Sequence, residues 1–283
     1  MASSGRTYWS ERSGTRSRPI VLLPEQVRRL FASLLSEFEA RGYLQEAFGY
    51  ECVDEGFVSG SLGPAPNDRA LLILGYEDLW PVTEETAEAW QDDEFFDVVE
   101  FLYDHISQGD ESTGQYHSFS NCGWHFDHFD PEPARREYRM RVNELLSRLE
   151  GGYELSEAGE VVHKAPSGLD TLLSASLPGL APNNQDHVTS AIHKFRARSS
   201  SATQRRDAVR DLADVLESIR ADVKAEMFSK DEGALFEIAN GFWIRHNKPD
   251  ERIDYDHEAW WSWLFYLYLD SIALVTHLKQ REA

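Results

Sequence analysis

A chain of 283 residues, 41% apolar and 27% charged, has the composition of a folded globular protein and not of a disordered one. Its 49 acids against 28 bases, a net charge of −21, exclude a surface that coats duplex nucleic acid or an anionic membrane, so any nucleic-acid contact must be local. Two cysteines, Cys52 and Cys122, exclude a disulfide-stapled scaffold.

Met1 to Arg16 lacks the apolar core of a secretory signal, and a cytoplasmic location is the expectation. Pro24 at a first helical position opens an amphipathic run, Val27, Leu30, Phe31, Leu34, Leu35 and Phe38, which Gly42 closes. Tyr43 to Pro66 is glycine-rich and aperiodic, which predicts loops or short strands. Leu71-Leu72-Ile73-Leu74 predicts a short buried strand, and helices are expected from about Asp93 to His105 and from Pro133 to Leu149. Tyr153 to Val162 alternates around Gly159 and reads as a β-hairpin.

The charge is unevenly spread. Residues 1–183 carry 14 bases and 32 acids, net −18, whereas residues 184–283 carry 14 bases and 17 acids, net −3. The change coincides with the turn-rich stretch Leu177 to Asn184, so two domains are expected: 1–183, acidic and α+β, a sensor or regulatory domain, and 184–283, all helical. In the second, Val188, Ile192 and Phe195 share a helix face, and Val209, Leu212, Leu216, Ile219 and Val223 have the seam spacing of a bundle. A shorter helix from Asp231 to Trp243 and a last one from about Asp256 to Lys279 complete an antiparallel four-helix bundle. The overall class is mainly α. Ala259 to Leu278 is nearly all apolar, but Asp270 at the centre of a membrane span would cost roughly 2.5–3.5 kcal/mol, so this segment reads as a buried or dimer-forming helix.

There is no phosphate-binding loop, dinucleotide fingerprint, HExxH or GxSxG. Cys122, His125 and His128, with His117 upstream, form one metal-like cluster, since zinc takes thiolate and imidazole. No second ligand pair stands downstream, and the expectation is a loop whose cysteine and histidines make local hydrogen bonds, with no metal or other cofactor. Lys194, Arg196, Arg198, Arg205, Arg206 and Arg210 form the dense positive run of the second domain. Such a run can hold RNA phosphates, or lie as a solvated face paired with Asp207, Asp211 and Asp214.

Between the last two expected helices lies Ile244-Arg245-His246-Asn247-Lys248-Pro249-Asp250-Glu251-Arg252-Ile253-Asp254-Tyr255-Asp256-His257. Arg252 and His257 make an R-x4-H, and Arg245-His246-Asn247 adds a second Arg/His pair. Here the sequence resembles the HEPN superfamily, helical bundles with an Arg/His motif near the start of the final helix, many of them metal-independent ribonucleases. With Trp9-Ser10-Glu11-Arg12, the run from Phe95 and the "GYELSEAGEVV" from Gly152, the whole chain is similar to AbiJ-type abortive-infection proteins of bacteria. The resemblance implies an antiphage or toxin-type effector with RNA as substrate, and Arg245, His246, Arg252 and His257 as its catalytic candidates; which pair acts stays open.

RNA carries its own nucleophile, the 2′-hydroxyl. Histidine, with a pKa near 6.5, serves as base or acid, and arginine stabilises the phosphorane, so metal is not required. One motif per chain supplies few groups, which makes a homodimer attractive. The alternative is a non-catalytic interaction protein whose acidic first domain binds a protein partner or trigger. In that case Arg245 and Arg252 pair with Asp250, Asp254 or Asp256, and His257 caps the helix.

Overall fold

The computed structural model describes residues 8–15, 20–119, 122–227, 229–241 and 256–282. Contacts divide the chain into two compact units, one ending at Val162 and the other beginning at His163. The fold is mainly helical, with a few two-stranded pairs.

The first unit runs α1 (Trp9–Arg12), α2 (Pro24–Ala40), α3 (Gln45–Phe48), β1 (Tyr50–Cys52), β2 (Gly56–Val58), α4 (Pro66–Leu74), α5 (Glu84–Ala89) and α6 (Asp92–His105). It continues with β3 (Gln108–Gly109), β4 (Gln115–His117), β5 (Gly123–His125), β6 (Phe129–Asp130), α7 (Pro131–Leu146) and β7 (Tyr153–Leu155), and β8 (Val161–His163) ends at the division. Its core is where α2, α6 and α7 meet. Val27, Phe31, Leu34, Leu35 and Phe38 of α2 are buried as their spacing requires, while Leu30 falls off the stripe and is exposed. Phe31 sits edge-on to Phe95 at 5.3 Å and to Tyr138 at 6.4 Å, an arrangement in which ring edges meet ring faces. Tyr138 is wholly buried, and its hydroxyl donates to the Val99 carbonyl at 3.0 Å, so no polar atom is stranded there.

In the first unit, α4 and α5 differ from expectation, and α3 is a helical turn in a stretch expected to hold loops or short strands. Leu71 to Leu74 is the end of α4 and not a strand. A four-residue apolar run has no period of its own; Pro66 at the first turn and Gly75 in the left-handed region at the end settle it as helix, with Leu72 exposed. The short α5, held by the Thr83 side chain accepting from the Thr86 amide, carried no apolar run to announce it.

The second unit contains α8 (Asp170–Leu173), α9 (Pro182–Arg196), α10 (Ala202–Ser218), α11 (Arg220–Glu226), α12 (Ser229–Gly241) and α13 (His257–Glu282). Ala165, Leu169, Leu172 and Leu177 pack into this core, so the turn-rich stretch ahead of α9 belongs with the helices that follow it. The seam Val209, Leu212, Leu216 and Val223 is buried, but Ile219 leaves the helical backbone and splits one expected helix into α10 and α11. Ser201 caps α10 by accepting from the Gln204 amide, and Gln204 reaches back to the Ser201 amide. From α13, Leu264, Phe265, Tyr268, Leu269, Ile272 and Val275 are fully buried, and Phe265 stacks on Phe195 of α9 at 4.0 Å. That burial uses the apolar run inside the unit. No helix among the described residues is long and apolar enough to cross a membrane.

Candidate functional site

Of the four residues of the Arg/His motif, Arg245, His246 and Arg252 lie outside the described residues. His257 is the first residue of α13, half-buried, with its ring 5.1 Å from that of Trp261. The helix cap is Asp256, whose Oδ1 accepts from the Ala259 amide at 3.1 Å, so the capping role considered for His257 falls to its neighbour.

The basic run of the second unit splits into two groups. Lys194 bonds Asp211 at 2.5 Å, Arg210 pairs with Asp207 one turn away at 3.4 Å, and Arg206 lies 3.7 Å from the same Asp207. These are the solvated, paired cations of an ordinary helix face. The other group gathers around His163. Arg205 Nη2 stands 2.9 Å from His163 Nε2, and Arg196 Nε donates to the His163 carbonyl at 3.1 Å. A guanidinium can only donate, so His163 Nε2 accepts and the imidazole is neutral. Burial, first, and then the charges of Arg205, Arg198 and Arg196 hold its pKa below the usual imidazole value, while Glu258 opposes them. Glu258 Oε1 lies 3.5 Å from Arg205 Nη1, and Glu258 is the residue after His257. The arginine group thus reaches the first turn of α13 through Glu258, the residue that follows the motif histidine.

A second cluster lies in the first unit. β1 pairs with β2 and β4 with β5, each antiparallel, with Cys52 opposite Gly56 and His117 opposite Gly123. Gln115 pairs with His125, so His117 and His125 share one face of their ribbon, because side chains alternate along a strand. Cys122 immediately precedes β5, and Gly123 takes φ +90°, a conformation open to glycine and strained for other residues. Cys52, His117, Cys122 and His125 converge, with one ligand atom from each all within 4.8 Å of one another. His117 Nδ1 is 3.6 Å from Cys52 Sγ and 3.9 Å from Cys122 Sγ, and Cys122 Sγ is 2.9 Å from His125 Nε2. Cys52 and His125 are buried, and the His125 ring stacks on Tyr50 at 4.0 Å. His128 stands apart, exposed, its amide donating to Thr113 Oγ1.

Sequence reading missed Cys52 as the partner of the downstream cluster, and it missed His163. The signal for Cys52 was available: it is the other of only two cysteines. His163 ends a strand and carries no motif. Comparison with protein-family models, curated proteins and solved structures finds no match to this chain.

Proposed function

We propose that the second unit is an RNA-directed effector of the HEPN type, a metal-independent endoribonuclease working in antiphage defence or as a toxin. The observation that carries this reading is the convergence of Arg196, Arg198 and Arg205 on a neutral His163, with Arg205 paired to Glu258 in the first turn of α13. Three arginine charges around one uncharged imidazole make a place where a phosphodiester is welcome and a cation is not. Arginine's planar fork suits non-bridging phosphate oxygens.

In this reading an imidazole of the motif, His257 or His246, removes the proton from the RNA 2′-hydroxyl, whose oxygen bonds to phosphorus. Arg252 or Arg245 neutralises the phosphorane, and the bond to the 5′-oxygen breaks as that oxygen takes a proton from an imidazolium or from water, giving a 2′,3′-cyclic phosphate and a 5′-hydroxyl. Arg205 and Arg196 would position the strand without joining the bond changes. The bundle's homodimer would bring two such motifs to one RNA.

The test uses purified full-length chain and total RNA. Cleavage is expected from the wild type and lost, by at least about 100-fold, in His257→Ala or Arg252→Ala, or else in His246→Ala or Arg245→Ala, at nearly unchanged thermal midpoint. Arg205→Ala should weaken RNA binding and flatten its salt dependence by about one charge. If all four motif variants melt far below the wild type while any activity persists, the motif is an ion-pair network and the enzymatic reading fails. The charge of −18 on residues 1–183 favours a second reading, an acidic module that binds a basic protein partner. Absence of RNA cleavage together with salt-sensitive capture of a basic protein would support that one.

A further inference from the structure

We infer that Cys52, His117, Cys122 and His125 are the four ligands of a structural zinc ion that ties the two β-ribbons of the first unit together. The inference stands apart from the RNA reading, since every ligand lies in the first unit and the proposed chemistry lies in the second.

The donor set comes first. Two thiols and two imidazoles, from three separate stretches of chain, meet with all ligand atoms within 4.8 Å. Zinc bound tetrahedrally at about 2.3 Å to sulfur and about 2.0–2.1 Å to nitrogen requires ligand-to-ligand edges of roughly 3.3–3.8 Å. The His117 Nδ1 edge to Cys52, 3.6 Å, already has that length, and the edge to Cys122, 3.9 Å, exceeds it by about 0.1 Å. The Cys122–His125 edge, 2.9 Å, is a thiol–imidazole hydrogen bond, and replacing its proton by a metal would open it by about half an ångström. Binding Zn²⁺ releases one proton from each thiol to water. Two thiolates and two neutral imidazoles then balance the ion's charge, so the centre adds no net charge to a half-buried site.

The same count separates zinc from other metals. Four protein ligands leave no open position, which marks a structural and not a hydrolytic centre. The soft thiolates disfavour magnesium and calcium, which take oxygen donors. Asp54 Oδ2 lies 3.8 Å from His117 Nδ1, and Asp54 is largely exposed. It faces the histidine from outside the tetrad and is not needed to complete it.

The need for a metal is visible in the strands themselves. β1, β2, β4 and β5 have three residues each, and a two-stranded ribbon of that length is marginal in water. The tetrad joins the end of β1 to both strands of the β4–β5 ribbon. It thereby closes a long loop of chain at a point where apolar packing is thin: Phe57, Tyr116 and Trp124 on these strands are exposed.

The test is metal analysis of the full chain purified without chelator, followed by replacement with cobalt. About one zinc per chain is expected, and Co²⁺ should give the intense visible bands of a tetrahedral site with a sulfur-to-cobalt charge-transfer band. Cys52→Ser and His117→Ala should each lower zinc affinity by at least about 100-fold, judged by competition with a chromophoric chelator. His128→Ala and Asp54→Asn should bind as the wild type does. Because the cobalt spectrum is read on the unmodified chain, a misfolded variant does not spoil the test. Metal-free protein that gives weak octahedral cobalt bands, or a Cys52–Cys122 disulfide in protein purified under reducing conditions, would overturn the assignment. RNA cleavage has no part in these readouts, so loss of either proposal leaves the other standing.

Discussion

At the residue scale the most informative group is His163. An imidazole that accepts from Arg205 must lose that bond, and sit among three guanidinium groups, when it is protonated. Its folded pKa is therefore held below the unfolded value near 6.5. The sign follows from proton counts: below that value the unfolded chain binds a proton that the folded chain resists. The contribution is complete above about pH 6.5 and is lost as the pH falls toward the folded pKa. An NMR titration should place the His163 midpoint below the ordinary imidazole range and raise it in Arg205→Ala. Thermal melts should fall more steeply from pH 7 to 5 in the wild type than in His163→Gln. A His163 midpoint above that of a free histidine would mean that Glu258, and not the arginines, governs the site.

At the element scale the β7–β8 turn shows how little freedom the connections have. Gly159 takes φ +86°, and a Cβ there would lie 2.4 Å from the Tyr103 ring, whose hydroxyl donates to the Glu157 carbonyl in the same turn. Gly159→Ala should cost about 1–3 kcal/mol, measured by denaturant unfolding, whereas Gly56→Ala, with a similar φ but open space around it, should cost less. This turn was legible in the sequence, because strand alternation broken by a glycine is a local signal. So were α2, α6, α10 and α13, whose apolar periods are long enough to name a helix without knowing its neighbours. The Leu71–Leu74 run was misread because a short apolar stretch fits either state, and its exposed position on α4 is decided by the cap residues on both sides. The break at Ile219 was hidden inside an unbroken heptad-like seam. The Cys/His tetrad was half legible: His117, Cys122 and His125 are close in sequence, but Cys52 reaches them only through the placement of two ribbons, which no local period records.

At the scale of the whole molecule, the two units have separate cores, and the proposed metal centre falls in the first and the proposed RNA chemistry in the second. The apolar and aromatic packing of α9, α10 and α13 contains no tetrad residue, whereas β1, β2, β4 and β5 carry or adjoin the ligands of the proposed zinc. Treating the zinc-loaded chain with excess chelator should therefore deprotect amides in the two ribbons, read by hydrogen exchange and mass spectrometry. Amides of α10 and α13 should stay protected, because metal binding stabilises only the structure that holds it. Uniform loss of protection throughout both units would show a single cooperative body, and no change anywhere would remove the structural role from the metal.

The net charge is −18 over residues 1–183 and −3 over residues 184–283, and the cations around His163 gather in the second unit, so the proposed RNA contact belongs there. The proposed ribonuclease is tested most directly by cleavage of an RNA in excess chelator beside the same RNA carrying a single 2′-deoxynucleotide at the mapped cut. A metal-independent enzyme that uses the 2′-hydroxyl cleaves the all-ribose strand, leaving 2′,3′-cyclic phosphate and 5′-hydroxyl ends, and does not cut at the 2′-deoxy position. Cutting at the 2′-deoxy position, 5′-phosphate products, or an intact all-ribose strand would contradict that proposal.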